Sequence, residues 1–331
     1  MDITVKKAIL HILDSTSAMP VFSQRELDRQ DEEIENFITA HVTKIYSDMG
    51  IKETKFLENS KIRQIIENDF DDFKELSIKI SNKLFSIMKA QADIPSADLL
   101  VAYVDIDGEA CLAVIKYNYK KGYTHFVEYD DSGVSNKLMV HSVILASESQ
   151  TVSEAALIML DNNKVYVLEK PFLIDGEKEM YFSKLFLNTT SGLSKKESVQ
   201  TLNEKALEIA EKYYDDDFMK AADLKEAIFE DLSESREINL NNVAEKVFGD
   251  DQKAKAEYLD NLKYAGVKET IGFEKSNPEK SYSKQKIRTD SGIEINIPME
   301  LYRNKDTVEF VNNPNGTISI IIKQIMKITG K

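Results

Sequence analysis

One cysteine, four histidines and no apolar run near the roughly 20 residues of a bilayer-spanning helix set the first limits on this sequence. A lone cysteine excludes an intrachain disulfide. Cys111 stands in the apolar run EACLAVIKY and reads as a small buried hydrophobe, not a reactive thiol. The N-terminal stretch MDITVKKAILHILD has no basic leader followed by an apolar block and a cleavage site, so cytoplasmic residence is expected. Walker phosphate loops, Gly-x-Gly-x-x-Gly, His-Glu-x-x-His and Cys-x-x-Cys are all absent. His11, His41, His125 and His141 include no two at helical metal-ligand spacing. THFVEY and LMVHSV read as neighbouring strands bringing His125 and His141 close, a structural pair without a third ligand. No catalytic residue, metal site or cofactor is therefore expected.

What is abundant is acid. Asp and Glu number 57 against 43 Lys and Arg, a net charge of −14. That balance excludes indiscriminate nucleic-acid binding over the whole surface, because neutralising phosphates requires a local excess of cations. Such an excess exists at one end only. Residues 273–331 hold ten Lys or Arg against seven Asp or Glu, which leaves the preceding 272 residues at −17. Lys275, Lys280, Lys284, Lys286 and Arg288 crowd into KSNPEKSYSKQKIR, with Tyr282 and several serines between them. This mixture suits phosphate contacts without base readout, and equally suits a solvated loop.

Hydropathy periods organise the rest. ITVKKAILHIL reads as an opening strand, with a second extended piece over Val21–Leu27. From Asp31 to Met49 apolar residues recur every three or four positions behind an acidic first turn, and a second such pattern runs from Phe70 to Met88 after a short helix following Ser60. Between Ala97 and Glu169 the period becomes two. Asp107-Gly108 marks a tight hairpin, and two further hairpins follow, which predicts a six-stranded antiparallel meander with no helical crossover. After Pro171 helices return. Ser194 opens one, later ones end at Gly266, and short strands from Lys284 to Ile322 are broken at Asp290-Ser291-Gly292 and Asn312–Gly316. The expected class is α+β, with an antiparallel-sheet domain over 1–190 and a helical domain with C-terminal hairpins over 191–331.

Other clusters have plain structural readings. DIDGE, with Asp105, Asp107 and Glu109, fits a hairpin turn and lacks the remaining ligands of a calcium loop. Asp215, Asp216 and Asp217 fit the acidic start of a helix. INLNNVAEKVFGDDQKAKAEYLDNLKYAG has the rhythm of a helix-turn-helix, but acids crowd Lys253 and Lys255, which favours helix packing over groove reading.

The element order resembles a family. ILHIL, a helical insert, the meander, YFSKLFLNTTSGLSKKES, acidic helices and SGIEINIPMELYRNKDTVEFVNNPNGTISIII together resemble the bacterial 37-kDa nucleoid-associated proteins, the NdpA-like family, and the chain's 37.7 kDa agrees. The correspondence is strongest over Phe182–Leu193 with the helix after it, and over Gly292–Ile322. The resemblance implies a cytoplasmic, nucleoid-located, double-stranded-DNA-binding protein with no known enzymatic chemistry and no membrane association, and supplies no motif residues. It also leads us to expect a homodimer, formed through an apolar surface on Phe182–Leu187 or through an edge strand of the meander. The rival reading is an acidic interaction module that reaches the nucleoid through a DNA-associated protein partner. A divergent metal nuclease is the third.

Overall fold

A computed structural model of the chain describes residues 1–131, 133–174, 176–214, 218–273, 282–302, 304 and 306–327. The chain divides into two compact units, 1–196 and 197–331.

Unit one is built on a six-stranded, wholly antiparallel sheet. Its strands are β1 (Ile3–Leu13), β2 (Lys52–Lys55), β3 (Ala97–Ile106), β4 (Glu109–Asn118), β7 (Glu154–Met159) and β8 (Lys164–Leu168), in the order β1-β3-β4-β7-β8-β2. Helices cover both faces. Leu100, Ala102 and Val104 face one core with Ala113, Ile115 and Leu157, where α1 (Glu32–Ser47) packs through Ile38, Val42 and Ile45. Leu99, Val101, Leu112 and Val114 face the other, with α2 (Lys61–Asp69) and α3 (Phe73–Ala90). Central strands apolar on both sides are what burial between two layers requires. Side-chain caps fix the helix starts: Asp31 accepts from the Glu33 N–H, Ser60 from Arg63 and Asp72 from Glu75. At the β3–β4 turn Asp107 and Gly108 both have positive φ, 52° and 89°, the geometry of a two-residue hairpin.

The structure departs from the sequence reading in three places here. Val21–Leu27 is not a strand; Val21 makes only an isolated bridge to Ile12. β5 (Lys120–Asp130) and β6 (Gly133–Ile144) do not join the sheet but pair with each other as a separate ribbon. Within it His125 stands opposite Leu138 and His141 opposite Gly122, so the two histidines are not cross-strand partners. After Pro171 a short hairpin comes before any helix, β9 (Phe172–Ile174) with β10 (Glu177–Glu179).

Phe182–Leu187 then forms one π-helical turn whose Phe182, Phe186 and Leu187 are fully buried in the chain's own core. These three side chains are not available to a partner, while Leu185 of the same turn is exposed. The Asn188 residue that ends the turn takes a left-handed φ of 55°.

Unit two begins with α4 (Lys195–Tyr214), whose Val199, Leu202, Ala206 and Ile209 are buried as the stripe requires. There follow α5 (Phe218–Ser235), β11 (Glu237–Asn239), α6 (Leu240–Phe248), α7 (Gln252–Tyr264) and β12 (Thr270–Gly272), which pairs with β11. Two hairpins close the chain: β13 (Lys284–Arg288) with β14 (Glu294–Pro298), and β15 (Val308–Asn312) with β16 (Ile318–Ile322). A short α8 (Met299–Tyr302) lies between them.

Candidate nucleic-acid interface

The basic cluster of the sequence resolves on β13 into an amphipathic strand. Gln285 and Ile287 point inward and are buried, while Lys284, Lys286 and Arg288 point outward and are exposed. Ile287 anchors the strand beside Ile297, Met299, Tyr302, Val308 and Ala222, a small apolar core. Alternate residues of one strand face the same side about 6.7 Å apart, so the three cations form a straight row on one solvent face. Their cross-strand neighbours on β14 are Pro298, Asn296 and Glu294. Only the last is acidic, and its carboxylate lies 3.9 Å from Arg288 Nε with both side chains largely in water, a contact of little energetic weight. Among the described residues, Lys284 and Lys286 have no carboxylate within ion-pair distance.

A fourth cation joins the row from α5. Lys225 Nζ donates to the Lys284 carbonyl at 2.8 Å. Burial, and then the positive charge of Lys286, pull the Lys225 pKa below the usual lysine value. Lys225 lies 59 residues from Lys284 in sequence and had no signal there. Lys275 and Lys280 lie outside the described residues, as do Asp215, Asp216 and Asp217.

The turn of the hairpin is fixed by its own side chains. Thr289 Oγ1 accepts from the Ile293 N–H at 3.0 Å, and Gly292 supplies a φ of 86°. The row is therefore presented on an ordered scaffold.

The helix pair α6–α7 is packed as the bland reading expects. Ala254, Tyr258 and Leu262 of α7 are buried, and Tyr258 donates its hydroxyl to the Leu202 carbonyl at 3.2 Å. Lys255 is tied to Glu245, and Glu257 accepts from Lys212 and from the Tyr213 hydroxyl, both at 2.7 Å. Asp105 and Asp107 serve the β3–β4 turn: Asp105 accepts from the Gly108 N–H at 2.8 Å, and Asp107 from that of Asp2, also at 2.8 Å. Among the described residues no three His, Cys, Asp or Glu side chains gather as a metal site would need, and no helix is long and apolar enough to cross a membrane.

One polar constellation was invisible in the sequence. Lys116 and Glu154 stand opposite each other on β4 and β7, both with fully buried side chains, Nζ to Oε1 3.6 Å. Glu154 also accepts from Tyr181 Oη and Asn118 Nδ2, each at 2.6 Å. Burial pulls the Lys116 pKa down to about 8 against the opposing attraction of Glu154. Sealed from water, the group has no access to substrate and acts as a clamp within unit one.

Residues 9–328 match the family model of the nucleoid-associated proteins. With nearly the whole chain covered, the protein belongs to that family, described as nucleoid-associated protein YejK. No curated protein matches the chain.

Proposed function

We propose that this protein binds double-stranded DNA in the bacterial nucleoid, without catalysing a reaction, by setting Lys284, Lys286 and Arg288 against the phosphate backbone. The observation that carries this reading is the uninterrupted cationic row on the solvent face of β13, in a chain that is otherwise strongly acidic. Lys225 reinforces the row, and Lys275 and Lys280 stand a few residues upstream in sequence, outside the described residues. A row of flexible cations on a flat hairpin meets phosphates and reads no base edges, so affinity is expected to vary little between unrelated sequences. The acidity of the remainder limits each chain to a narrow contact. Two chains acting together double it, and we take the functional form to be a homodimer.

Fluorescence anisotropy with unrelated duplexes, joined to incubation of linear and supercoiled DNA with magnesium or manganese, tests the reading. Salt-sensitive binding of similar strength to each duplex is expected, with both DNA forms left intact. Absence of salt-sensitive binding would favour the acidic interaction module, in which location comes from a protein partner. Cleavage abolished by replacing Asp105, Asp107 or Asp215 would replace the reading with a nuclease.

A further inference from the structure

The β5–β6 ribbon is the largest feature that DNA binding leaves unexplained. It pairs Tyr123 with Val140 and Tyr129 with Val134 in an antiparallel ladder, and nearly all of its residues are exposed. A two-stranded hairpin open on both faces is marginally stable in water, because it buries too little to offset its ordering.

The two faces differ. One carries Glu128 and Lys137, joined as an ion pair, together with Asp130. The other carries the four rungs from Tyr123–Val140 to Tyr129–Val134, with Leu138 among them and no Asp, Glu, Lys or Arg within them; Lys121 stands beyond their end. These five apolar side chains are 55–77% exposed. At about 200 Å² for a whole tyrosine they offer on the order of 500 Å² per copy, above what monomers usually leave in one patch.

We propose that these four uncharged rungs pack against the same rungs of a second copy, and that the ribbon is the homodimer contact. The proposal rests on the homodimer reading above and adds the surface to it. Three observations favour a second copy over other occupants. The face's four rungs from Tyr123–Val140 to Tyr129–Val134 hold none of the cations that phosphates need, which disfavours nucleic acid. Its pattern is also self-complementary. A two-fold axis across the strands lays the Tyr123–Val140 rung of one copy over the Tyr129–Val134 rung of the other, and the His125–Leu138 rung over Val127–Asn136, with no charges opposed. Finally, a symmetric contact buries about 1,000 Å² in all, the threshold of a specific interface. Chains of net charge −14 repel one another, and this face lets them meet where no carboxylate stands.

Sedimentation equilibrium of the full chain across micromolar concentrations supplies the test. The wild type is expected at twice 37.7 kDa. Leu138→Asp should weaken association at least about 100-fold, since two carboxylates would enter a dry contact. Ser135→Asp, on the opposite face, should leave it unchanged. A wild-type monomer throughout overturns both the homodimer and its surface, whereas a Leu138→Asp protein that remains a dimer overturns the surface alone. Hydrogen exchange of the wild type needs no variant: Tyr123–Tyr129 and Val134–Val140 should gain protection as concentration rises through the dimer range. Protection that does not change, or that arises only when duplex DNA is added, overturns the proposal.

Discussion

Replacing Lys116 with Met removes the only cation facing Glu154 from the opposite strand while nearly conserving volume. In the native protein the Glu154 carboxylate is fully buried, 3.6 Å from Lys116 Nζ, and takes 2.6 Å hydrogen bonds from Tyr181 and Asn118. At that distance and an effective dielectric of about 20 the pair is worth about 4–5 kcal/mol, in line with the roughly 3–5 kcal/mol seen when one partner of a buried pair is removed. Lys116→Met should therefore cost about 4 kcal/mol at pH 7. Urea unfolding followed by circular dichroism, compared with the wild type, measures the loss. The double variant Lys116→Met/Glu154→Leu should recover most of the loss, because neither charge is left orphaned. A single variant within 1 kcal/mol of wild type at pH 7 would refute the reasoning.

Other outcomes follow from buried groups in the same unit. His11 Nδ1 accepts from the Ser23 N–H and its Nε2–H faces Ser77 Oγ, while burial pushes its pKa down from 6.5 to about 4. Unfolding releases a histidine that protonates more readily, so about 3 kcal/mol present above pH 6.5 should be lost as pH falls towards 4, and His11→Gln should flatten the urea midpoint over that interval. An unaltered pH profile in the variant would count against this. Cys111 is fully buried and its thiol is pushed up to about 12 by burial, so a colorimetric thiol reagent should react only after unfolding in urea. Immediate reaction of the folded protein would contradict the placement. Gly108→Ala, at a φ of 89°, should cost about 1 kcal/mol in the same unfolding assay, and an unchanged midpoint would argue against the two-residue turn.

The helices and the hairpin sheet were legible because their signals are local. Ile34, Phe37, Ile38, Val42 and Ile45 repeat at helical steps, and Asp107-Gly108 admits few other conformations. Membership of a sheet is not local. The alternation in Tyr123–Tyr129 is the same whether its apolar face meets a core or leaves the sheet, so the ribbon read as two more strands of the meander. β11 and β12, three residues each, hold too few side chains to show a period, and the polar KETK of β2 joins the sheet through its partner β8. On the candidate site, the cation excess of KSNPEKSYSKQKIR was legible, but that Lys284, Lys286 and Arg288 share one exposed side emerged only with the burial of Gln285 and Ile287. Lys225 was hidden because helix α5 and β13 meet only in three dimensions. Lys116 and Glu154 were hidden for the same reason: each reads as the polar end of an apolar strand until the β4–β7 register sets them opposite.

Salt dependence of duplex binding by the wild type and by Lys284→Ala/Lys286→Ala/Arg288→Ala tests the cationic row most directly. All three side chains are exposed, and the buried Ile287 and Ile297 that hold the hairpin are untouched. Each lost phosphate contact should remove about 0.9 from the slope of log K against log salt, so the triple variant should be flatter by about 2.7. Its remaining affinity should be alike for unrelated sequences, since phosphate contacts carry no base identity. An unchanged slope and affinity in a folded triple variant would contradict the assignment of β13 as the DNA-binding surface.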